Sequence, residues 1–153
     1  MFGEKNDHAL PSGGKEQKMR IGHVTINSGK LEESIKFYQN IAGLEIIRDM
    51  RGKGPLNIVF LADEKGGTCI ELIGNEDEAY SGEGISIGFE VEDAEGYHEA
   101  LWNKGMETTP LVEPIPGTAF FFVKDPNGVN IQFISQNSGR GISGNGTGEE
   151  SKL

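Results

Sequence analysis

The chain of 153 residues contains one long pattern twice, and this internal duplication restricts its possible folds more than any other feature. Three pairs of segments correspond in residue type and order: 21–26 with 84–89, 43–44 with 105–106, and 69–73 with 130–134. Their offsets are 63, 62 and 61 residues. A nearly constant offset of this length indicates a supersecondary unit of several elements that occurs twice, rather than a solenoid of short repeats.

Corresponding positions in the two copies are candidates for one shared site. Duplicated units can face each other across a cleft, so that matching side chains converge. The duplication pairs His23 with Ser86 and Glu71 with Gln132. We therefore expect these four side chains to belong to the same functional site.

Each copy has the order strand, helix and three further strands. In the first copy, alternating apolar and polar residues over 21–26 predict a strand. Apolar residues at intervals of three and four over 30–42 predict a helix, which Gly43 ends. The three remaining strands are predicted at 44–50, 56–62 and 68–73.

The second copy follows an acidic linker at residues 74–83. Its predicted elements are a strand at 84–91, a helix at 94–103, a short strand near 106–109, and strands at 118–124 and 129–134. Asp93 can cap the helix, and His98 is predicted to lie on its polar, exposed side. The fold class is therefore predicted to be α+β, with two βαβββ units.

The folded domain is predicted to span residues 19–135, as units 19–73 and 84–135. Residues 1–18 and 136–153 are rich in Gly, Ser, Asn, Lys and Glu and contain hardly any large apolar side chains. Such segments bury too little apolar surface to offset the entropy lost on ordering. We therefore expect both ends to be disordered extensions.

Charge and composition exclude several partner classes. The 14 Lys and Arg residues against 24 Asp and Glu residues give a formal net charge of −10, which disfavours nucleic acid as a partner. The longest apolar run, residues 119–123, is too short to span a membrane. A single cysteine, Cys69, precludes an intramolecular disulfide and suits a reducing compartment such as the cytoplasm. The terminal Ser151-Lys152-Leu153 matches a peroxisomal address, which has meaning only in a eukaryotic cell.

Strand alternation places the matched polar residues on the sheet face that no helix covers. Ile85, Ile87 and Phe89 must face the helix, which leaves Ser86 and Gly88 on the opposite face. The same alternation selects the candidate ligand contacts Thr25, Cys69, Ser86 and Gln132. Because small and apolar residues are mixed with these polar ones, the pattern favours the lining of a small-molecule pocket over a solvent-exposed surface.

The chain resembles the vicinal oxygen chelate superfamily, which includes glyoxalase I, bleomycin-resistance proteins and extradiol dioxygenases. Five stretches carry the resemblance: Ile21-Gly22-His23-Val24, residues 33–38 leading to Gly43-Leu44, residues 69–73, residues 88–93, and Asp125-Pro126-Asn127-Gly128 before residues 131–133. The resemblance implies two βαβββ units that form a cupped mixed β-sheet with helices on the outer face. It also implies a divalent metal in the cup and a homodimer.

In members similar to glyoxalase I, the first and last strands of each unit supply a His and a Glu as metal ligands. His23 and Glu71 match the first pair, whereas Ser86 and Gln132 stand in place of the second pair. The resemblance thus implies a Zn²⁺ or Ni²⁺ site formed by His23, Glu71 and Gln132. An amide cannot carry a proton at neutral pH, so Glu71 is the candidate catalytic base.

Two functions remain open from the sequence. One is a metal-assisted lyase or isomerase similar to lactoylglutathione lyase, with a degenerate metal site. The other is a metal-independent small-molecule binding module similar to bleomycin-resistance proteins. A dioxygenase would need a second histidine for iron, and Ser86 occupies that position.

Overall fold

The computed structural model describes residues 17–136, which form two βαβββ units in succession. The first unit consists of β1 (His23–Ser28), α1 (Leu31–Asn40), β2 (Glu45–Asp49), β3 (Ile58–Ala62) and β4 (Cys69–Gly74). The second unit consists of β5 (Ser86–Glu90), α2 (Ala94–Asn103), β6 (Val112–Ile115), β7 (Thr118–Lys124) and β8 (Asn130–Gln136). The predicted α+β class is confirmed. Nearly all of the predicted extensions 1–18 and 136–153, including Ser151-Lys152-Leu153, lies outside the described residues.

Each unit forms its own four-stranded mixed sheet, and the two sheets have the same topology. The strand orders are β1-β4-β3-β2 and β5-β8-β7-β6, and in each sheet the first pair is parallel and the third antiparallel. A parallel pair requires a long crossover, which the helix and two intervening strands provide. The register is duplicated as well: Thr25 lies opposite Glu71, and Gly88 lies opposite Gln132.

Both helices form where the apolar spacing predicts them. Leu31, Ile35 and Tyr38 of α1 are buried, as are Ala94 and Leu101 of α2. Asp93 caps the N-terminus of α2, as predicted: its side chain accepts a hydrogen bond from the backbone N–H of Gly96 at 3.0 Å. The glycines that follow the helices, at positions 43 and 105, have φ angles of 76° and 85°, the left-handed conformation typical of a helix end.

The short strand predicted near residues 106–109 is wrong, because the strand that follows α2 is β6 at Val112–Ile115. The sequence interpretation assigned the prolines at 110, 114 and 116 to an irregular connection. Pro114 is nevertheless tolerated within β6, since this strand lies at the edge of the sheet and not every residue needs a ladder hydrogen bond. The preceding residue Thr109 also contacts β7, because its backbone N–H donates to the carbonyl of Phe122 at 3.0 Å.

The helix-covered sides of the two units meet in one hydrophobic core. The Tyr38 hydroxyl on α1 donates to Asp125 in the turn between β7 and β8 at 2.7 Å, and Tyr97 on α2 donates to the carbonyl of Ile41. A crevice of about 890 Å³ between the units is lined from one side by Val24 and Ile70, and from the other by Ile87, Phe89 and Phe133. Within the described part of the chain, no helix has the length and apolar character needed to cross a membrane.

Candidate functional site

The uncovered face of the first sheet brings an imidazole, a carboxylate and a hydroxyl together. The Thr25 hydroxyl donates to Oε1 of Glu71 at 2.5 Å, and Nε2 of His23 lies 3.4 Å from the same oxygen. The His23 side chain is 51% exposed and that of Glu71 is 13% exposed. Phe60, which lies opposite Glu71 on β3, packs edge-on against the imidazole with the ring centroids 6.0 Å apart.

This arrangement can present two ligands to a single ion. Imidazole nitrogen and carboxylate oxygen are both ligands for Zn²⁺ and related divalent ions. The bond from Thr25 fixes the orientation of the Glu71 carboxylate and leaves Oε2 without this contact. Within residues 17–136 no group of three His, Cys, Asp or Glu side chains is close enough to hold an ion. The first sheet thus supplies a half-site with two ligands.

The second sheet carries the counterpart of this half-site with neutral side chains. Ser86 lies opposite Asn130, and Gly88 lies opposite Gln132, as His23 and Thr25 lie opposite their own partners on β4. A Cβ atom on Gly88 would come within 3.1 Å of Oε1 of Gln132, so the amide lies directly over this glycine. Glycine supplies no hydroxyl to hold the amide, in contrast to Thr25 and its bond to Glu71.

Within one chain the two half-sites lie on different sheets. Val24 and Ile70 line the crevice between the units from the first sheet, and Ile87 and Phe133 line it from the second. Because successive side chains of a strand alternate between faces, the neighbouring His23 and Glu71 lie on the side away from the crevice. Ser86 and Gln132 lie on β5 and β8 of the second sheet, where Gly88 and Glu90 line the crevice as well. The structure therefore brings together three of the candidate residues, His23, Thr25 and Glu71, and places Ser86 and Gln132 on the other sheet.

Cys69, the remaining candidate contact, lies beside His23 in the register of β1 and β4. Its thiol is partly buried, and Sγ lies 3.5 Å from the carbonyl oxygen of Gly67. Cys69 therefore lies on the sheet surface next to the imidazole of His23.

Two phenylalanines that flank the half-sites were not identified from the sequence as a matched pair. Phe60 lies opposite Glu71, and Phe122 lies opposite Gln132. Phe122 also packs edge-on against Phe120 on the same face, with centroids 5.9 Å apart. Phe60 and Phe122 are 62 residues apart, the same offset as Gly43 and Gly105, and this offset could have identified them as corresponding positions. Each half-site thus has one polar wall and one aromatic wall.

Two βαβββ units with polar sheet faces left open by the helices define the class of glyoxalase-like α+β proteins. A family model described as the Glyoxalase/Bleomycin resistance protein/Dioxygenase superfamily matches residues 20–133. The chain belongs to this superfamily.

Relatives with established names are lactoylglutathione lyases. The protein of that name from Neisseria meningitidis is 33% identical over 129 residues, which cover 79% of this chain and 94% of the relative. The trypanothione-dependent glyoxalase I of Leishmania major has a similar structure, with a TM-score of 0.66, 24% identity, and coverage of 89% of this chain and 100% of that one. An antibiotic binding protein from Streptomyces sp. CB03234 shares the fold with a TM-score of 0.64 at 14% identity, covering 80% and 99%. The chain is a glyoxalase-family protein similar to lactoylglutathione lyase.

Proposed function

We propose that this protein is a metal-assisted lyase or isomerase of the glyoxalase I type, which acts on a small oxygenated substrate at the uncovered sheet face. The observation that carries the proposal is the His23–Glu71 pair, 3.4 Å apart, with Thr25 bonded to the carboxylate. Lactoylglutathione, which the names of the relatives specify, is the first product whose formation should be tested.

The donor set fits a divalent ion in its first half. His23 and Glu71 provide nitrogen and carboxylate ligands suited to Zn²⁺ or Ni²⁺, and Gln132 would add a neutral amide oxygen. The hydroxyl of Ser86 is a poor ligand unless it is deprotonated. A bound ion would polarise the substrate oxygens as a Lewis acid.

Glu71 is the proposed proton carrier. Glyoxalase-type isomerisation removes a proton from one carbon and returns it to the neighbouring carbon, so no atom is gained or lost. Thr25 occupies Oε1 of Glu71, which directs Oε2 toward substrate or ion. Gln132 cannot replace Glu71 in this role, because a neutral amide does not accept a proton at physiological pH.

A complete site is proposed to require two chains. The half-sites of one chain lie on separate sheets, and in this proposal the first half of one protomer meets the second half of another. In a symmetric homodimer this contact occurs twice, which gives two equivalent composite sites. The ligand would then contact Thr25 and Cys69 of one protomer and Ser86 and Gln132 of its partner.

The second candidate function is a metal-independent binding module. The observation that favours it is the neutral second half-site, in which Ser86 and Gln132 replace charged or imidazole ligands. Aromatic walls at Phe60 and Phe122 could hold an organic ligand by apolar contact and stacking. In this function Thr25, Ser86 and Gln132 donate and accept hydrogen bonds directly with the ligand.

Titration with Ni²⁺ and Zn²⁺ separates the two functions. We expect calorimetry to show saturable binding of the ion to the wild type. Binding to His23→Ala should be at least tenfold weaker, because the variant lacks the imidazole and retains only the Glu71 carboxylate as a ligand. Glu99→Gln is the matched control, since this exposed carboxylate lies on α2, away from the uncovered sheet face, and it should bind as the wild type does. Equal affinity in His23→Ala would place the ion elsewhere. Stabilisation by an organic ligand without any ion binding would instead support the binding module.

Mixing two variants tests the composite site. Glu71→Gln disables the first half and Gln132→Leu impairs the second, so each homodimer should have little activity. Random exchange of subunits makes about half of the dimers mixed, and each mixed dimer regains one intact site of two. We therefore expect about a quarter of the wild-type activity after exchange. Activity that remains at the sum of the separate variants would show that both halves act within one chain.

A further inference from the structure

The two sheets differ in charge next to the matched residues, at the positions two residues away along their strands. Lys124 on β7 corresponds to Ala62 on β3, and Asn130 on β8 corresponds to Cys69 on β4, at the offsets of the duplication. Lys124 lies opposite Asn130 in the ladder, and its Nζ donates to Oδ1 of Asn130 at 2.9 Å. The second half therefore carries an ammonium group where the first half has only a methyl group.

A pocket of about 440 Å³ adjoins this ammonium group. It is lined by Lys124, Asn130, Phe122 and residues 106–109, which run beside β7. An ammonium has three N–H donors, and Asn130 accepts from only one of them, so the others are available to a ligand. Phe122 adds an apolar wall beside the ammonium and amide groups, a combination typical of small-molecule pockets. The hydroxyls of Thr108 and Thr109 are bonded to His98 and to the backbone N–H of Phe122.

The charge of Lys124 is not neutralised by a protein carboxylate in the described part of the chain. The salt bridges found there join Glu71 to His23, and Arg51 to Glu32 and Asp49. Glu107 lines the same pocket without forming an ion pair with Lys124. In a chain of net charge −10, an available cation beside the polar face attracts a ligand group of opposite charge.

We propose that this pocket binds a carboxylate of the small-molecule ligand, an inference that rests on the proposed ligand site at the uncovered face. Lys124 and Asn130 provide N–H donors to the carboxylate, and Phe122 packs against the chain that carries it. Asn130 and Gln132 are two residues apart on β8, which corresponds to about 7 Å along the strand. The substrate class is therefore an oxygenated compound with a carboxylate about 7 Å from the group that contacts Gln132.

Two matched probes test this pocket with the full chain. They are 5,6-dihydroxyhexanoate and 1,2-hexanediol, which share a neutral diol head and differ only in a carboxylate or a methyl group at the far end. We expect calorimetry to show about tenfold tighter binding of 5,6-dihydroxyhexanoate, as for a hydrogen bond to a charged group. Backbone amide resonances of Lys124 and Asn130 should shift with 5,6-dihydroxyhexanoate and much less with 1,2-hexanediol.

Lys124→Met should remove this preference, so that both probes bind with similar affinity. Lys124→Arg keeps the charge and should keep the preference, as should Lys104→Met, which removes an exposed lysine after α2. Equal binding of the two probes to the wild type, a preference that survives in Lys124→Met, or no binding of either probe would overturn the proposal.

The titrations are made without added metal and without turnover, which separates this proposal from the proposed function. A protein that fails to bind Ni²⁺ or to form lactoylglutathione still reports whether the carboxylate is preferred. Conversely, an active enzyme whose Lys124→Met variant keeps the probe preference would retain the proposed function and lose this subsite.

Discussion

Replacing Glu71 by Gln should lower kcat/KM for lactoylglutathione formation by about a thousandfold, because general base catalysis contributes on the order of 10²–10⁴ in rate. Glutamine has nearly the same size and can still accept the hydrogen bond from Thr25, so the fold should remain intact. What it lacks is the ability to take a proton from carbon and return it to the neighbouring carbon. The reaction can be followed through the absorbance of the thioester product.

The control for this variant is Glu99→Gln, a change of the same chemistry at an exposed position of α2. It should keep the wild-type rate. Thermal unfolding of both variants should match that of the wild type, which shows that any loss of rate arises at the site and not from unfolding. If Glu71→Gln retained its rate within a factor of three, Glu71 would not carry the proton and the proposed mechanism would be wrong.

Removing the carboxyl group of Asp125 should lower the free energy of unfolding by about 3 kcal/mol, since several donors lose their acceptor in the interior. The Tyr38 hydroxyl donates to Asp125 at 2.7 Å, and the backbone N–H groups of Asn127 and Val129 donate at 2.7 and 2.9 Å. Tyr38 is fully buried and Asp125 is 4% exposed, so water cannot replace these bonds. Urea unfolding of Asp125→Ala measures the loss.

Asp77→Ala provides the comparison for this stability measurement, because the same substitution occurs at an exposed position of the linker. It should change the free energy of unfolding by less than about 0.5 kcal/mol. Similar losses in the two variants would mean that the contact between α1 and the turn after β7 adds nothing to stability.

The same contact predicts a dependence of stability on alkaline pH. Burial, and then the neighbouring Asp125, raise the pKa of the Tyr38 phenol well above its usual range. The contribution of a group with a raised pKa is fully present below the unfolded value, about pH 10 for tyrosine, and is lost as the pH rises above it. Stability should therefore fall above about pH 10. Tyr38→Phe should show a shallower fall, and the remainder includes Tyr97, whose pKa burial also raises. Parallel curves for the two proteins would contradict this assignment.

The duplication made much of the fold predictable, because it constrained two copies with one pattern. Alternation and helical spacing located both helices and the strands β1, β4, β5 and β8, and Gly43 and Gly105 marked the helix ends. The strand β6 was misplaced, because its prolines disfavour a strand locally and only pairing with β7 determines where it forms. The mutual orientation of the two sheets was also beyond the sequence. Alternation shows which face a residue occupies, whereas packing between the units decides where that face points.

The candidate site was predictable only where it depends on register. In the parallel register His23 lies opposite Cys69 and Thr25 lies opposite Glu71, so the pairing of β1 with β4 brings His23 and Glu71 to neighbouring positions on the same face. The bond from Thr25 to the carboxylate depends on side-chain rotamers, which no sequence pattern specifies. His98 was predicted to be an exposed surface residue, yet it is partly buried, with Nε2 3.0 Å from the Thr109 carbonyl oxygen and its ring edge-on to Phe121. The contact of His98 with the irregular segment before β6 is long-range, so it produces no periodic pattern in the sequence from which it could be predicted.

The unequal halves of the duplicated sheet allow reactivity and selectivity to evolve separately. The imidazole and the carboxylate lie on β1 and β4, while β7 and β8 carry neutral and cationic side chains at the corresponding positions. Substitutions along β7 and β8 can therefore change the second sheet without altering the imidazole and the carboxylate. The two units keep the same backbone, and their side chains are free to differ.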